Sequence, residues 1–358
     1  MIKSITIEGY KSIRKLQDFE LKNLNVIIGA NAAGKSNFIS FLKMVKTQLT
    51  GDIQSYIRRY ENSMEHVAFM GTAVTPKVNG KIVLDSCTYG FSLASTESGG
   101  VFFEDEYLDG ERGGRVQDGC VSRYSEERWN DSEKVLALRK EVTGWSIYHL
   151  NDTSLTARVK KDSLLVPGLP LADDFSNLAS WLHCLRGSDK HTYEHIVFAV
   201  NMVFPAFQDF FLQPTSTEDG VEYIRLFWKQ KNSNITFSPS HFSDGTLRFL
   251  CLCAALMQPH PPTTIVIDEP ELGLHPEAIR LLAELLQSAA VTSQVIVATQ
   301  SPLLLDQFAV EDIIVVRRQD GASTFERLKE QDYSQWFDDY TIGELWTKNV
   351  IEGGTVYE

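Results

Sequence analysis

A glycine-rich segment, Gly29 to Ser36, has the residue types and the spacing of a loop that cradles phosphate groups. Its sequence, GANAAGKS, fits the pattern G-x-x-x-x-G-K-S in full. Backbone N–H groups in such a turn point inward, and the positive end of the following helix dipole adds to their attraction for anions. Lys35 is expected to reach the β- and γ-phosphates and to assist catalysis there, and the Ser36 hydroxyl is expected to ligate magnesium. The predicted nucleotide contacts come from seven consecutive residues: Asn31, Ala32, Ala33, Gly34, Lys35, Ser36 and Asn37.

The residues on either side of this loop fit the elements that must position it. Residues 24–28, LNVII, form a short β-branched run that is typical of a buried strand. Residues 37–45 carry apolar side chains at helical spacing. A strand, a tight turn and a helix therefore follow one another, and this order predicts that the chain binds a nucleoside triphosphate.

Two adjacent carboxylates follow a second apolar segment, residues 264–267, which is predicted to be a buried strand. Asp268 at the strand end is expected to hold magnesium, directly or through water. Glu269 is placed to polarise a water for in-line attack on the γ-phosphate. A buried strand followed by a solvated acidic turn would also explain this pair. The phosphate loop upstream favours the catalytic interpretation.

A third segment, residues 242–248, opens an apolar helix that is predicted over residues 249–257. Ser243 and Gly245 lie at the helix N-terminus, where a hydroxyl and backbone N–H groups can donate to an anion. On its own the segment would be an ordinary helix cap. It begins 22 residues before the strand that carries the acidic pair, and this order favours an anion-binding role.

Composition bounds the class of protein. With 358 residues, of which 43% are hydrophobic, the chain can form one large α/β domain or two lobes. The net charge of −13 weighs against a surface that grips nucleic acid throughout, without excluding a local groove. No apolar run approaches the roughly 20 residues that span a bilayer. The five cysteines lack metal-ligand spacing, Cys251 and Cys253 are expected to pack inside a helix, and no signal peptide is recognised. A reduced cytoplasm is the expected location.

By pattern the chain divides into residues 1–95 with the phosphate loop, an inserted lobe of β segments and helices over 96–235, and an α/β part over 236–358. Residues 81–85 and 88–93 are predicted to be a pair of edge strands. Further predicted elements are polar hairpins or loops over 95–131, a helix over 132–142, a strand over 145–150, and helices over 173–211 that Pro205 interrupts.

This set of motifs resembles the ABC-type ATPases of the SMC, RecF and OLD group, and most of all the compact RecF-like AAA-type ATPases of bacteria. The resemblance implies an α/β fold: a P-loop NTPase of ABC-ATPase head type, with a mixed sheet flanked by helices and an inserted β/helical lobe. Neither a long coiled coil nor a separate toprim nuclease module is expected. The resemblance rests on residues 7–13 (IEGYKSI), 29–36, 242–247 (FSDGTL) and 266–276 (VIDEPELGLHP).

The resemblance also implies a mechanism. Two heads associate head to tail around two ATP molecules, so that Ser243 and Gly245 of one head touch the γ-phosphate that Lys35 of the other head holds. Residues 271–275 would then lie along the shared interface. ATP favours the closed dimer, and magnesium-dependent hydrolysis releases it. The expected partners are a second copy of the chain, or a larger assembly, and a separate protein effector such as a nuclease or toxin. Contact with DNA is left open, and no membrane contact is expected.

Two positions depart from the pattern of the relatives. Gln300, in the strand and switch segment 295–302, stands where many relatives have His. It can donate a hydrogen bond to the γ-phosphate but cannot carry a positive charge, so we expect slow turnover. Asp244 places an acid near a phosphate site, which is unfavourable unless it points away or caps the helix. Gln54 and Gln117 are both candidates for the magnesium-sensing glutamine of the relatives.

Other residues offer little chemistry. We expect the acidic runs and the compact basic spots to be solvated; they are residues 104–106, 338–339, 58–59, 160–161 and 229–231. The favoured function is a magnesium-dependent ATPase switch that regulates an effector in bacterial genome maintenance or anti-phage defence, a pathway assigned by analogy. Two alternatives are left open: a nucleotide-gated scaffold with negligible turnover, which Gln300 would suit, and a self-contained metal-dependent nuclease.

Overall fold

The chain forms two units. The structure, a computed structural model, describes residues 1–96, 100–112, 122, 124, 132–148 and 152–353. Gln117 and most of the predicted loop region after residue 112 lie outside the described residues. Unit 1 comprises Met1–Ser146, Pro262–Val266 and Ser293–Glu358, and unit 2 comprises Ile147–Pro261 and Ile267–Thr292.

An antiparallel sheet begins unit 1, and its inner strand Lys77–Leu84 alternates between buried and more exposed side chains, as expected where one sheet face packs on a core. The predicted pair of edge strands, residues 81–85 and 88–93, belongs to the interior of this sheet, so the edge assignment was wrong. Pairing between distant strands decides which strand is central, and local sequence does not carry that information. The strands follow one another across the sheet in the order β2 (Ile13–Glu20), β1 (Ile2–Tyr10), β4 (Lys77–Leu84), β5 (Thr88–Ser95), β6 (Val101–Leu108) and β7 (Glu111–Arg112).

A second sheet carries the strand that precedes the phosphate loop. Its order is β18 (Ala322–Arg327), β17 (Ile313–Gln319), β3 (Leu24–Ile28), β16 (Gln294–Thr299), β15 (Thr264–Asp268) and β8 (Trp145–Tyr148). Strand β3 pairs in parallel with both β16 and β17, whereas β17 and β18 are antiparallel. All residues of β3 and β16 are buried, which explains their continuous apolar runs. The mixed sheet confirms the predicted α/β fold class.

Helices accompany these sheets in unit 1. In the longest of them the buried side chains recur three or four positions apart, which is the helical spacing expected after the phosphate loop. The helix predicted over residues 132–142 is confirmed with nearly the same ends. The helices of unit 1 are α1 (Lys35–Thr50), α2 (Ile53–Tyr56), α3 (Met64–Val67), α4 (Glu133–Thr143), α9 (Pro302–Leu305), α10 (Glu330–Tyr333) and α11 (Ile342–Thr347).

Unit 2 combines two small sheets with four longer helices. One sheet has the order β10 (Phe207–Phe211), β13 (Phe227–Gln230), β14 (Thr236–Phe237), and the other β11 (Thr215–Ser216), β12 (Glu222–Ile224), β9 (Ser163–Leu164). The helices are α5 (Leu178–Ser188), α6 (Lys190–Val203), α7 (Asp244–Leu256) and α8 (Pro276–Ala289).

Helix ends and burial in unit 2 match two local predictions. Helix α6 ends at Val203, two residues before Pro205, because proline lacks the N–H that a continuing helix would need. Beyond that point the helical prediction for residues 173–211 was wrong, since residues 207–211 form strand β10, which pairs with the distant strand β13. Cys251 and Cys253 lie buried inside α7, and this burial raises the pKa of both thiols. Both cysteines therefore serve packing, as predicted.

Two charged residues expected in solvent are buried instead. Glu106 is fully buried on β6, where its carboxylate accepts hydrogen bonds from the Tyr89 and Ser122 hydroxyls, each at 2.7 Å. Lys160 is also buried, and its ammonium donates to the Thr153 carbonyl at 2.6 Å. Each has found polar partners that local sequence does not reveal, which lowers the cost of burial. Among the described residues, no helix is both long and apolar enough to cross a membrane.

Candidate nucleotide-binding site

The phosphate loop lies between β3 and α1 in unit 1, as its sequence predicts. Glycine is required at two places for different reasons. A side chain at Gly29 would come within 2.4 Å of the Val316 carbonyl oxygen, because β17 passes directly beside the loop. Gly34 has a φ of 122°, and a Cβ atom there would meet the Ser323 hydroxyl at 2.1 Å. The loop is therefore both tightly curved and tightly enclosed.

The Lys35 side chain folds back into the turn. The residue is only 5% exposed, and its ammonium donates to the carbonyl oxygens of Gly29 at 2.6 Å and Ala30 at 3.1 Å. These bonds hold the charge at the N-terminal end of helix α1. A cation in this position, beside a helix N-terminus, is suited to attract a polyphosphate.

A cluster of hydroxyl groups supports the loop from behind. The Ser323 hydroxyl donates to the Ala33 carbonyl and lies 2.6 Å from the Ser12 hydroxyl, which in turn accepts a 2.7 Å hydrogen bond from the Asn37 side-chain amide. Ser12 and Ser323 are both buried. The loop shape thus depends on side chains from β18 and from the turn between β1 and β2.

An arginine supports the outer side of the loop. The Arg318 guanidinium donates to the Ala32 carbonyl at 3.2 Å. Ala32 itself has a positive φ of 62°, an uncommon conformation for a residue with a side chain. Sequence reasoning missed Arg318 and Ser323. Ser12 belonged to a recognised motif, but no role had been predicted for it.

Gln300 lies at the same end of the sheet strands as the phosphate loop. In the parallel pair β3 and β16, Thr299 is opposite Ile28. Gln300 and Gly29 are therefore the first residues after two neighbouring strands that end at one level. The structure brings these two predicted site segments of unit 1 together.

In unit 2 the first acid of the predicted pair, Asp268, is the last residue of β15, and Glu269 follows it. Glu269 adopts a left-handed backbone conformation with φ 47°, which is uncommon outside glycine and concentrates at functional sites. The next residues form a tight turn, in which the Leu272 N–H donates to the Glu269 carbonyl at 3.3 Å and the Leu274 N–H to the Glu271 carbonyl at 3.0 Å. We call residues Glu269–Leu274 the acidic turn.

Ser243 caps helix α7, also in unit 2. Its hydroxyl accepts a hydrogen bond from the Thr246 N–H at 3.1 Å, and the residue is exposed. The preceding Phe242 is anchored by its ring, which stacks on Trp228 with ring centres 4.8 Å apart. The cap predicted from sequence is therefore present. Asp244 does not provide it and lies in the first helical turn instead.

The first turn of α7 packs directly on the acidic turn. A Cβ atom at Gly245 would lie 2.3 Å from the Gly273 carbonyl oxygen, so the two backbones touch. Further along α7, Arg248 is 5% exposed. Burial lowers the pKa of the Arg248 guanidinium, and the nearby charges of Asp244 and Glu269 act to raise it. A buried arginine thus balances the acid at position 244, which looked unfavourable from sequence.

The predicted magnesium ligands have suitable chemistry. Hydroxyl and carboxylate oxygens are ligands that Mg²⁺ prefers; Ser36 in unit 1 offers a hydroxyl, and Asp268 in unit 2 offers a carboxylate. No group of three His, Cys, Asp or Glu residues that could bind a metal is found among the described residues. Of the two candidate magnesium-sensing glutamines, Gln54 lies in α2 and accepts a 3.3 Å hydrogen bond from the Val101 N–H.

Comparisons with known proteins define the class. A family model described as an AAA domain, and as a proposed AbiEii toxin of a type IV toxin–antitoxin system, matches residues 136–306. A model described as an AAA ATPase domain matches residues 1–110. Together with the solved structures below, these matches show that the chain has the ABC-type ATPase fold of the SMC and RecF group, as predicted.

Three of the similar solved structures are SMC heads. A Smc head bound to the C-winged helix domain of ScpA has a TM-score of 0.63 at 16% identity and covers 93% of this chain and 99% of its own. An SMC head from Thermotoga maritima has a TM-score of 0.50 at 15% identity, with coverages of 92% and 99%. A Smc head with an extended coiled coil, bound to the C-terminal domain of ScpA derived from Pyrococcus furiosus, has a TM-score of 0.57 at 14% identity, with coverages of 94% and 98%. At these identities the likeness concerns the fold. A comparison with curated proteins finds no match.

Proposed function

We propose that this chain is a magnesium-dependent ATPase switch in which two heads share ATP. The observation that carries the proposal is the phosphate loop, whose lysine ammonium is folded into the turn at the N-terminus of α1. The enclosure of the loop by backbone and hydroxyl groups supports it, because such a site is pre-organised for phosphate.

Each predicted residue has a distinct proposed task. Residues 31–37 bind the phosphates through backbone N–H groups, and Lys35 neutralises the β- and γ-phosphates. Ser36 and Asp268 are the proposed magnesium ligands, and the metal would stabilise negative charge that develops on the phosphate oxygens. Glu269 orients the attacking water and accepts its proton. Gln300 is proposed to donate a hydrogen bond to the γ-phosphate from the strand end that lies beside the start of the loop.

Ser243 and Gly245 are proposed to bind the γ-phosphate of the other head. Ser243 is exposed at the start of a thirteen-residue helix, so its N-terminus can reach a ligand from outside the unit. Hydrolysis would remove the group that both heads hold, and the closed dimer would lose its advantage over separate heads.

The switch is proposed to act on a separate protein effector in a bacterial defence or genome-maintenance system. The AbiEii description of the matching family supports a defence role. Two of the similar SMC heads are bound to a ScpA domain, which supports the idea that heads of this fold serve as docking platforms. Fold-level analogy is the basis of this step.

The test measures ATP binding, dimerisation and phosphate release on the same set of variants. Lys35→Ala is expected to weaken ATP binding about 100-fold, close to 3 kcal/mol, because a charge-assisted contact with phosphate is lost. Lys15→Ala, an exposed lysine on β2, serves as the control. Unchanged ATP affinity in Lys35→Ala would contradict the proposed site.

Glu269→Gln addresses turnover and the shared-ATP dimer. It is expected to retain ATP, to release phosphate about 100-fold more slowly and to accumulate as a dimer in light scattering. Glu284→Gln, an exposed acid on α8, is the matched control. Equal phosphate release by wild type and Glu269→Gln would favour a scaffold without turnover. A variant that stays monomeric with ATP would contradict the shared-ATP dimer.

A further inference from the structure

Arg248 is a buried charge with unmade hydrogen bonds. It is 5% exposed, and within the described part of the chain its Nε and Nη1 atoms have no hydrogen-bond partner. A guanidinium carries five N–H donors and stays charged at all physiological pH values. Buried donors without acceptors are rare in folded proteins, so such a group requires a physical explanation.

The charges of three carboxylates in unit 2 act on this guanidinium. Asp244 lies one helical turn before it on α7, and Glu269 and Glu271 belong to the acidic turn; the charges of all three act on Arg248. Attraction between opposite charges offsets the cost of burying the arginine. At Nε and Nη1, however, no directional bond accompanies this attraction. Arg248 is therefore held by charge while part of its bonding capacity is unused.

The elements that carry these carboxylates are in direct backbone contact. Gly245 touches Gly273 so closely that a Cβ atom would lie 2.3 Å from the carbonyl oxygen. The acidic turn is closed by its own hydrogen bonds between Glu269 and Leu272 and between Glu271 and Leu274. A shift of the Ser243–Gly245 turn must therefore displace the acidic turn, and it changes the surroundings of Arg248 at the same time.

We propose that Arg248 is a positioning residue that couples the engagement of Ser243 to the placement of Glu269. When Ser243 binds the γ-phosphate of the neighbouring head, a carboxylate of the acidic turn moves to accept a hydrogen bond from Nε or Nη1. This bond fixes the acidic turn and holds the Glu269 carboxylate against its water. Arg248 itself touches neither nucleotide nor water. The inference rests on the proposed function, because it assigns one step of the shared-ATP cycle to this residue.

A merely structural arginine would behave differently. If Arg248 only balanced the charge of the acids near it, a lysine at this position would preserve both the charge and the catalytic rate. A lysine ammonium, however, is a point charge and cannot reproduce the planar fork of Nε and Nη1. Arg248→Lys therefore separates charge balance from directional bonding.

The experiment compares Arg248→Lys with Arg280→Lys, the same chemical change at an exposed position of α8. Each protein is assayed for ATP affinity, KM and single-turnover hydrolysis, and circular dichroism verifies that it is folded. For Arg248→Lys we expect ATP affinity and KM within about twofold of wild type and a hydrolysis rate lower by about tenfold or more, since a small misplacement of a catalytic group costs up to roughly 100-fold. Arg280→Lys is expected to match wild type.

A second variant approaches the coupling from the other side. Glu271→Gln removes the charge of one of these carboxylates with little change in side-chain size, and it is expected to lower the hydrolysis rate several-fold while KM stays unchanged. In a Ser243→Arg background, which blocks engagement of the two heads, Arg248→Lys should cause no further loss.

The outcomes distinguish failure of this inference from failure of the proposed function on which it rests. If wild type neither dimerises with ATP nor hydrolyses it, the proposed function fails. If wild type does both and both variants hydrolyse ATP at the wild-type rate, the function stands and the role of Arg248 is refuted. Additive losses in the Ser243→Arg background would also overturn the coupling.

Discussion

The hydroxyl cluster behind the phosphate loop makes Ser323→Ala an informative change. The Ser323 hydroxyl donates to the Ala33 carbonyl and bonds to the Ser12 hydroxyl, and the site is buried. Alanine removes one oxygen atom and adds nothing. Ser12 keeps its hydrogen bond from Asn37, whereas the Ala33 carbonyl loses the donor that fixes its direction.

The magnitude follows from this loss. A buried acceptor left without its donor costs about 1–3 kcal/mol. The loop at residues 29–34 can relax locally without unfolding unit 1, so we expect much of this cost to appear as weaker ligand binding. At 1.4 kcal/mol for each factor of ten, the ATP dissociation constant should rise by roughly 5- to 150-fold.

Isothermal titration calorimetry with ATP measures the effect, and thermal unfolding without nucleotide measures any change in global stability. Ser334→Ala is the matched control, because Ser334 is exposed and its hydroxyl donates to the Gln331 carbonyl at 3.3 Å, far along the chain from the loop. Ser12→Ala should weaken binding as well, and the double variant should lose less than the sum of the two. An ATP dissociation constant within twofold of wild type in Ser323→Ala would refute the idea that this cluster shapes the loop.

Two further predictions concern α7. Ser243→Arg should leave ATP binding by single heads nearly unchanged and abolish ATP-dependent dimerisation in light scattering. Ser243→Asp keeps a helix cap, so it should fold as wild type, but it should also fail to dimerise because its charge repels phosphate. A normal dimer with either change would contradict the cross-head role. Gly245→Ala should lower the free energy of unfolding by about 1–3 kcal/mol, since its Cβ would press on the Gly273 carbonyl oxygen. In the same thermal unfolding assay Gly187→Ala, at a helical glycine with open space around it, should be neutral or slightly stabilising. Equal stability of the two variants would exclude the close backbone contact.

Local patterns predicted much of the fold that surrounds the loop. Strand β3 and helix α1 flank it as expected, and Ser243 caps α7. Each of these features depends on residues within a few positions of one another. Apolar spacing, a glycine requirement and a capping hydroxyl act over that range, so they can be recognised without knowing the rest of the chain.

The errors share one physical cause. Residues 81–85 and 88–93 were expected at a sheet edge, and Glu106 and Lys160 in solvent; in the structure both strands are paired on both sides, and both charged residues are buried beside polar partners. The local sequence around a charged residue does not reveal whether the folded chain places a hydroxyl or carbonyl partner beside it. Tertiary pairing supplies that partner, and no local pattern encodes it.

By itself, the sequence determined the kind of chemistry and the order of its parts: a lysine in a glycine-rich turn, a capped helix and an acidic strand end. These are local arrangements, and their residue types follow from backbone geometry and from the charge of a polyphosphate. Only the tertiary structure decided what surrounds them. Ser323 reaches Ala33 across 290 positions of sequence, and Arg248 became a buried charge among three acids because two backbones meet at Gly245 and Gly273. Such contacts arise when distant segments pack together. The fit of their shapes and the burial of their surfaces determine which segments meet.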